Sequence, residues 1–447
     1  MTKFFGTDGI RGKTGDFPIT PDFFVKIGYA AGLVLTKHHN LESNPTVVIG
    51  KDTRISGYMF ESALESGFAA AGVDVYLTGP IPTPAIAFLT QSLNADIGVS
   101  ITASHNPYDD NGIKLFSNNG SKLPQSIERE IEVIVGNDLK VVPAHRLGKA
   151  KRLDDARERY ENFCLSTLPG NLSLTNMKIV LDCAHGATYQ VAPAVFTRLG
   201  ADVHVINNKP NGLNINDDAG SIHPDFLINA VLSSKADLGI AFDGDGDRLI
   251  MVDGSGQLVD GDQILFLLLK FYQKQNIMAG GLVGTLMTNL ALEEKCKEMN
   301  VPFFRAMVGD KFVAEALREK QWFIGGENSG HIVLLDKHST GDGIISALQL
   351  IASLHLNQET LSQALSEFPM YPQKLINIPL TGQFNAETKA MTLLVDRANE
   401  MMDRKGRVLI RPSGTQPLIR VMTEGPDAKT VAKSAQFLVE NINQTSQ

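Results

Sequence analysis

The chain has 447 residues, of which 43% are hydrophobic and 20% charged, a composition typical of globular rather than disordered proteins. Its formal net charge of -8 argues against a broad basic surface for nucleic acid or an anionic membrane. There is no membrane-spanning apolar run, no signal-peptide core and no disulfide or zinc spacing among the cysteines. We therefore expect a cytoplasmic protein without membrane or nucleic-acid partners, built from three or four domains.

Short Val/Ile-rich runs alternate with longer amphipathic stretches, which predicts α/β layers. A unit of strand, helix, strand, helix and strand occurs three times. The repeats begin at "TVVIG" (46–50), "KIVLD" (178–182) and "GLVGT" (281–285). Their third strands are "IGVSI" (97–101), "LGIAF" (238–242) and "WFIGG" (322–326). A segment from about residue 371 breaks the pattern and predicts a smaller α+β domain.

We predict three related α/β domains with mixed sheets and a smaller C-terminal α+β domain, around a central cleft. The predicted boundaries are 1–153, 154–255, 256–369 and 370–447. Each third strand ends in a polar loop: "TASHNP" (102–107), "DGDGDR" (243–248) and "GENSGH" (326–331). Because ligands of open α/β sheets bind beyond the carboxyl ends of strands, we expect the three loops to converge on the cleft.

The loop "TASHNP" places Ser104 and His105 just before a proline. Pro107 disfavours a helix at the preceding residue, so an extended turn should push Ser104 and His105 toward solvent or a cleft. A plain turn would also explain the loop, since turn-forming residues gather at strand ends. Lys114, ten residues further on, and Arg11, in the glycine-rich "FGTDGIRG", are candidates for the same cleft.

The loop "DGDGDR" places Asp243, Asp245 and Asp247 at alternate positions between glycines. Three adjacent carboxylates repel one another unless a cation lies among them, which favours a Mg²⁺ site with Arg248 compensating the remaining charge. An EF-hand loop does not fit, because it needs glycine where Arg248 stands. A dehalogenase-type phosphatase, with Asp243 as nucleophile, is a second alternative, although that motif requires threonine at position 247.

Two further loops carry groups that suit a sugar phosphate. "RPSGTQPLIR" (411–420) combines guanidinium, hydroxyl and backbone N–H groups, as a phosphate site requires. "GENSGH" offers a carboxylate, an amide and a hydroxyl for sugar hydroxyl or amine groups, and a proton-carrying imidazole. The candidate residues are Glu327, Asn328, Ser329, His331, Arg411, Ser413, Gly414, Thr415 and Arg420.

Taken in order, these motifs resemble the α-D-phosphohexomutase superfamily over essentially the whole chain. Besides the loops above, "GTLMTNLALE", "VGDKFV" and "RPSGTQP" carry the resemblance. It implies that Ser104 bears a phosphoryl group and that an oxygen of this phosphoserine joins Asp243, Asp245 and Asp247 around Mg²⁺. It also implies that Glu327 and Ser329 read the sugar and that the 411–420 loop binds phosphate.

The resemblance further implies an isomerase that moves a phosphoryl group between the 6- and 1-positions of a hexose phosphate. Asn328 stands where the superfamily's amino-sugar enzymes more often have glutamine and the others methionine, which favours glucosamine phosphate over mannose or glucose phosphate. Gln416 replaces a usual acid, which we expect to change local charge without abolishing phosphate binding. A non-catalytic sugar-phosphate sensor is the remaining alternative.

Several expectations come with the resemblance rather than from the residues. The product would feed UDP-N-acetylglucosamine and cell-wall synthesis. Glucose or glucosamine 1,6-bisphosphate is a candidate activator, and a homodimer is a candidate assembly. Arg11 and Lys114 are expected to assist transfer, while His105, His331 and Lys114 are alternative proton carriers that the sequence does not rank.

Overall fold

The structure is a computed structural model that describes residues 4–6, 8–38, 43–170, 172–277, 280–379, 388–412 and 418–445. Its packing divides the chain into two compact units. The first comprises residues 1–286 and 304–364, and the second comprises residues 287–303 and 365–447. Three sheets are built mainly from the first unit and a fourth from the second.

The first sheet contains the serine loop. Its elements are β1 (Ile10–Lys13), α1 (Pro21–His38), β2 (Thr46–Lys51), α2 (Ser56–Ala70), β3 (Asp74–Pro80), α3 (Thr83–Ser92), β4 (Ile97–Ile101), β5 (Asp110–Ser117), α4 (Gln125–Val135) and β6 (Ala150–Arg152). The strand order is β1-β5-β4-β2-β3-β6. β2 pairs with β3 and β4 in parallel, whereas β5 pairs with β4 antiparallel. Central β4 is buried at all five positions, as expected for a strand covered on both faces.

The second sheet contains the acidic loop. Its elements are α5 (Ala156–Ser166), β7 (Lys178–Asp182), α6 (Val191–Arg198), β8 (Asp202–Ile206), α7 (Asp225–Ser234), β9 (Leu238–Phe242), β10 (Leu249–Asp253) and β11 (Leu258–Val259). The order is β11-β10-β9-β7-β8, and β7 pairs with both β8 and β9 in parallel. β11 pairs with β10, so the second sheet extends past the predicted domain boundary at residue 255.

The third sheet contains the "GENSGH" loop. The elements of this part of the chain are α8 (Gly261–Lys274), β12 (Leu282–Thr285), α9 (Leu290–Glu298), β13 (Phe303–Ala306), α10 (Asp310–Lys320), β14 (Ile324–Gly326), β15 (Ile332–Leu334), α11 (Gly343–Asn357) and α12 (Leu361–Leu365). The strand order is β13-β12-β14-β15. A capping box between Asp260 and Gln263 satisfies backbone N–H groups at the start of α8.

The second unit contains an antiparallel sheet. Its elements in the C-terminal segment are β16 (Gln373–Pro379), α13 (Lys389–Glu400), β17 (Arg407–Pro412), β18 (Leu418–Glu424) and α14 (Ala428–Thr445). The order is β16-β18-β17, with both pairings antiparallel. α9 belongs to this unit, where Asn289, its N-cap, exchanges two hydrogen bonds with the backbone of Tyr371.

The three predicted repeats are confirmed, and in each sheet their strands lie in the order second, first, third. The pairings are parallel in the first two repeats and between β12 and β14 in the third. In each repeat the third strand is followed by an antiparallel strand, β5, β10 or β15, which the sequence analysis did not separate. Each polar loop is therefore the turn of a hairpin. Both ends of every loop are therefore attached to buried strands. The loops lie beyond the carboxyl ends of β4, β9 and β14.

The three cysteines are free and fully buried. Cys164, Cys183 and Cys296 each have 0% exposure, and burial raises the pKa of each thiol. Their burial among apolar side chains agrees with the absence of a disulfide or zinc spacing in the sequence.

Candidate active site

The serine loop holds Ser104 in a left-handed backbone conformation, with φ 51°. The backbone N–H of Ser104 donates to Thr102 Oγ1 at 2.8 Å, and Asn106 N donates to Ala103 O at 3.1 Å. The side chain is 1% exposed, so the turn directs the hydroxyl into the interior. Non-glycine residues adopt this conformation at an energetic cost, and such strain persists where the surroundings impose it.

Ser104 lies against the acidic loop of the second domain. Its Oγ donates to Asp243 Oδ2 at 2.7 Å, although the two residues are 139 positions apart. The structure therefore brings together two groups that the sequence analysis took from different repeats. A hydroxyl in direct contact with a buried carboxylate is a candidate phosphoryl acceptor beside a metal site.

The three aspartates of the acidic loop form a compact oxygen cluster. All three are buried, and they offer carboxylate oxygens within 4.8 Å of one another. Asp243 Oδ1 accepts from the N–H groups of Gly246 and Arg248, both at 3.1 Å. Asp245 Oδ1 and Asp247 Oδ1 receive no hydrogen bond from the described residues. Buried carboxylate oxygens without a donor fit a hard divalent cation.

Lys114, on β5, bridges this cluster. Its Nζ donates to Asp247 Oδ2 at 2.7 Å and to Asp245 Oδ2 at 2.9 Å, and lies 3.3 Å from Asp8 Oδ2. Burial opposes charging, but the three carboxylates raise the pKa of Lys114 well above its ordinary value. The lysine is therefore a fixed cation at the floor of the site.

The pKa values of Asp243 and Asp247 are shifted in opposite directions. Burial, Asp247 and Asp245 together raise the pKa of Asp243 well above its ordinary value. Burial also acts on Asp247, but Lys114 and His331 hold the pKa of Asp247 well below its ordinary value. The difference follows from the position of Lys114, whose Nζ donates directly to Asp247.

Arg11 and Arg248 border the site. Arg11 pairs with Asp8, while Arg248 Nε lies 4.0 Å from Asp247 Oδ1. Burial lowers and nearby carboxylates raise the pKa of each guanidinium, with a net upward shift. Arg11 Nε and Arg248 Nε are buried without an acceptor among the described residues, so each has a donor available for an anionic ligand.

The two predicted histidines have different surroundings. His105 Nδ1 lies 3.4 Å from Ser104 Oγ, and burial together with Arg248 and Arg11 lowers the pKa of His105 to about 4. His331 lies between Asp247 and Asp310, with nitrogen-oxygen distances of 3.7 and 3.9 Å. Burial opposes these carboxylates, which raise the pKa of His331. His105 is thus a neutral acceptor beside the serine, and His331 holds its proton more tightly.

The polar side chains of the "GENSGH" hairpin differ in their exposure to solvent. Glu327 is buried, Asn328 is half-buried and Ser329 is exposed. Glu327 Oε1 accepts from Gly309 N at 3.0 Å, and Gly330 N donates to Glu327 O at 3.0 Å. The hairpin is therefore rigid around its carboxylate, while the amide and hydroxyl are available to a ligand.

The arginines of the predicted phosphate loop lie in the second unit. Arg411 on β17 pairs in register with Arg420 on β18, and both are half-buried. Burial and Arg420 lower the pKa of Arg411. Among the described residues neither arginine has a carboxylate partner, so the pair carries uncompensated positive charge. Ser413, Gly414 and Thr415 lie outside the described residues.

Several residues of the site were not identified from the sequence. Asp8 and Lys122 extend the charged cluster toward Asp310, with Lys122 Nζ 2.5 Å from Asp8 Oδ1. Thr83 Oγ1 donates to Asp245 Oδ2 at 2.7 Å. Asp8 and Asp310 lie within "FGTDGIRG" and "VGDKFV", two of the motifs that carry the family resemblance. Their place in these motifs could have identified them as candidate site residues. Thr83 and Lys122 had no such signal.

Family models for each of the four segments match the chain. They describe the α/β/α domains I, II and III of phosphoglucomutase/phosphomannomutase at residues 2–141, 159–256 and 260–371, and its C-terminal domain at residues 375–441. Together these segments cover nearly the entire chain. They follow the order in which the sheets occur.

Full-length relatives are named phosphoglucosamine mutase. The protein from Aromatoleum aromaticum is 52% identical over 450 residues, which cover 99% of both chains. The protein from Janthinobacterium sp. is 53% identical over 445 residues, which cover 99% of this chain and 100% of the relative.

Solved structures share the fold at lower identity. A phosphoglucomutase/phosphomannomutase family protein from Burkholderia thailandensis matches 100% of this chain and 97% of its own, with a TM-score of 0.79 and 23% identity. The Aspergillus fumigatus N-acetylphosphoglucosamine mutase, solved with GlcNAc-6P and magnesium, covers 100% and 96% with a TM-score of 0.68 and 18% identity. Within the described residues, every helix is too short or too polar to cross a bilayer. From the four domain matches and the full-length relatives, the chain belongs to the phosphoglucomutase/phosphomannomutase family.

Proposed function

We propose that this protein is a phosphoglucosamine mutase, an isomerase that interconverts glucosamine 6-phosphate and glucosamine 1-phosphate. The reaction would use phosphorylated Ser104 and a glucosamine 1,6-bisphosphate intermediate. The observation that carries this proposal is the 2.7 Å contact between Ser104 Oγ and Asp243 within a cluster of three buried carboxylates. The full-length relatives at 52% and 53% identity support the amino sugar as substrate.

The reaction has two phosphoryl transfers. In the first, O1 of glucosamine 6-phosphate attacks the phosphorus on Ser104, so that the O1–P bond forms and the Oγ–P bond breaks. The O1 proton leaves to a protein base and Oγ gains a proton. After the bisphosphate turns over, Oγ loses its proton and attacks the 6-phosphoryl group. The Oγ–P bond forms, the O6–P bond breaks, and O6 gains a proton as glucosamine 1-phosphate leaves.

Asp243, Asp245, Asp247 and an oxygen of the phosphoserine would hold Mg²⁺. Bound there, the ion would neutralise negative charge on the moving phosphoryl group. The unpartnered oxygens of Asp245 and Asp247 fit this role. Fixed positive charge around the same position comes from Arg11, Lys114 and Arg248. This charge stabilises the negative charge on the moving phosphoryl group in the transition state.

The surroundings of the three proton carriers suggest different roles. His105 is neutral at pH 7, since its pKa is lowered to about 4, and its Nδ1 faces Ser104 Oγ. Lys114 and His331 instead have raised pKa values. We assign proton transfer to and from Ser104 Oγ to His105 and proton transfer to and from the sugar oxygens to His331, while Lys114 remains a fixed cation.

The substrate would be held at both ends. Glu327, Asn328 and Ser329 supply carboxylate, amide and hydroxyl groups suited to the sugar hydroxyls and amine. Arg411 and Arg420, together with Ser413, Gly414 and Thr415, would bind the phosphate that is not reacting. The uncompensated charge of the two arginines supports this assignment.

Replacing Ser104 tests the proposal directly. Ser104→Ala should reduce mutase activity by more than about 1,000-fold because no acceptor for the phosphoryl group remains. Ser92→Ala, at an exposed serine of the same domain, should leave activity unchanged. Phosphopeptide mass spectrometry of the wild-type protein should locate phosphate on Ser104. Near-normal activity of Ser104→Ala, or phosphate on Asp243 instead, would contradict the proposal.

Substrate choice needs its own measurement. The kcat/KM values for the 6-phosphates of glucosamine, glucose and mannose should be highest for glucosamine. A preference for glucose or mannose would instead support phosphoglucomutase or phosphomannomutase activity, the alternative within the family. Ligand binding without phosphate exchange would identify a sensor.

Four further assignments remain predictions. Glucose or glucosamine 1,6-bisphosphate should activate unphosphorylated protein by phosphorylating Ser104, and intact-mass measurement would detect the added group. Light scattering would decide whether the protein is a homodimer. A cytoplasmic location and a supply of product to UDP-N-acetylglucosamine and cell-wall synthesis follow from the proposed activity.

A further inference from the structure

Two backbone carbonyls of the serine loop each receive hydrogen bonds from the same two side chains. Ser104 O accepts from Arg54 Nη2 at 3.0 Å and from Asn216 Nδ2 at 2.9 Å. Asn106 O accepts from Arg54 Nη2 at 2.8 Å and from Asn216 Nδ2 at 3.0 Å. Arg54 belongs to the first domain and Asn216 to the second. The loop therefore receives hydrogen bonds from side chains of both domains.

Arg54 is fully buried, and all three nitrogens of its guanidinium donate hydrogen bonds. Besides the two carbonyls above, Nη1 donates to Pro107 O and, at 3.0 Å, to Asp110 O. Its Nε donates to Asp52 Oδ2 at 2.8 Å, and Thr102 Oγ1 donates to the same oxygen at 2.7 Å. A lysine would retain the charge, but its ammonium lacks the planar fork that reaches four carbonyls.

Asn216 has an amide orientation fixed by its neighbours. Its Nδ2 must face the two carbonyls, because the opposite orientation would place Oδ1 against two other oxygens. The residue is 6% exposed and has φ 59°, a conformation that asparagine tolerates well. A Cβ at Gly244 of the acidic loop would lie 2.6 Å from Ser104 O and 2.7 Å from Asn216 Nδ2. The acidic loop thus packs directly against this pair of carbonyls.

We propose that Arg54 and Asn216 are positioning residues that jointly hold the Ser104 loop in the conformation that aims Oγ at Asp243. The inference rests on the proposed phosphoserine reaction. Because Asn216 belongs to the second domain, Ser104 is aligned with the aspartate cluster only while Asn216 is hydrogen-bonded to the loop. Neither side chain is within the set assigned to substrate binding, so their loss should slow phosphoryl transfer and leave substrate affinity nearly unchanged.

The left-handed conformation of Ser104 makes such support necessary. A non-glycine residue with φ 51° relaxes to a more favourable conformation unless several contacts oppose it. Here the four hydrogen bonds to Ser104 O and Asn106 O fix the Ser104–His105 and Asn106–Pro107 peptide groups. Relaxation would move Oγ away from Asp243, and misplacement by about 1 Å can cost on the order of 100-fold in rate.

Asn216→Asp tests the inference with little change of shape. The substitution replaces both N–H donors by a carboxylate oxygen facing two carbonyls. The kcat for glucosamine 6-phosphate should fall on the order of 100-fold, with KM changed less than about threefold. Phosphorylation of Ser104 by glucose 1,6-bisphosphate, followed by intact-mass measurement, should slow to a similar degree. The matched control is Asn176→Asp, since Asn176 has φ 70° but is exposed, and it should behave as wild type.

A purely structural role would give another result. Activity would then fall only with the folded fraction measured by circular dichroism, and kcat per folded molecule would stay normal, which would overturn the inference. Asn216→Ala removes the donors without adding charge, and it decides the matter if Asn216→Asp does not fold. Arg54→Lys should lower kcat in the same direction.

The two proposals fail in different ways. If wild-type Ser104 never accepts phosphate from the bisphosphate, the phosphoserine reaction itself is wrong. If wild-type Ser104 accepts phosphate and the Asn216 variants accept it equally fast, only the positioning role is wrong.

Discussion

The acidic cluster of the first unit and the arginine pair of the second unit balance charge in opposite ways. In the first, Lys114 contacts Asp245 and Asp247, so buried acids meet a cation supplied by the protein. In the second, Arg411 and Arg420 lie side by side without a carboxylate partner among the described residues. The first site thus contains its own positive charge before any ligand binds, whereas the second retains positive charge for an anion.

Lys114→Met gives the largest expected effect and attacks the compensated site. Removing the cation leaves buried carboxylates facing one another, and breaking a buried ion pair costs about 3–5 kcal/mol. Urea titration should show this loss in the free energy of unfolding, and Mg²⁺ should restore part of it. Mutase activity should fall at least about 100-fold.

The control is Lys13→Met, since Lys13 is largely exposed and its nearest carboxylate, on Asp109, is 3.7 Å away. It should change the free energy of unfolding by less than about 0.5 kcal/mol. Equal stability of Lys114→Met and Lys13→Met would show that the acidic cluster does not depend on internal compensation.

Arg420→Gln addresses the uncompensated pair. Loss of a charge-assisted hydrogen bond should raise KM for glucosamine 6-phosphate about 10- to 100-fold. The free energy of unfolding should change by less than about 0.5 kcal/mol, because removing one of two adjacent cations also removes their repulsion. Steady-state kinetics and urea titration measure the two quantities.

Arg407 provides the matched contrast on the same strand as Arg411. Its Nε donates at 2.6 Å to Glu424, which is fully buried. Arg407→Gln should therefore cost about 3–5 kcal/mol in stability and leave KM nearly unchanged. If both arginine variants altered KM alike, or both altered stability alike, the distinction between them would be wrong.

Asp342 gives the smallest expected effect, because this buried acid is held by hydrogen bonds instead of a cation. It accepts from Tyr160 Oη at 2.7 Å and from Ile345 N at 2.9 Å. Burial raises the pKa of Asp342 to about 6. The folded state thus binds this proton more tightly than the unfolded chain, so the associated stability is present at low pH and lost as pH rises through about 6.

Asp342→Asn removes that titration and retains an N-cap. Relative to wild type, the variant should gain stability on the order of 1 kcal/mol as pH rises from 4 to 8. Thermal unfolding across this range provides the measurement. Asp427→Asn should show the opposite slope, since hydrogen bonds from Thr430 lower the pKa of exposed Asp427. A pH-independent difference for Asp342→Asn would contradict the prediction.

The repeat architecture could be predicted because it has a local signature. Buried strands such as β4 and β9 are continuous apolar runs, and each ends abruptly in glycine, proline or charged residues. These boundaries also identified the loops that contain Ser104 and Asp243. Their 2.7 Å contact joins loops of two different sheets. The sequence predicted only that these loops converge on one cleft, because ligands of α/β sheets bind beyond the carboxyl ends of the strands.

The supporting residues could not be predicted in the same way. Arg54 contacts a carbonyl 50 residues away, and Asn216 contacts the same carbonyl from 112 residues away. No periodicity distinguishes a buried arginine in "KDTR" from one on a solvated turn. Such partners depend on how separate hairpins meet in three dimensions, and a single sequence records nothing of that geometry.

The burial of all three cysteines offers a practical route to observing motion. A cysteine introduced at an exposed position would react with a maleimide dye while the native thiols stay shielded within the folded chain. Two such labels, one in each unit, would report their separation by energy transfer during turnover. The natural sequence thus provides a background for single-molecule spectroscopy without prior removal of its own sulfur groups.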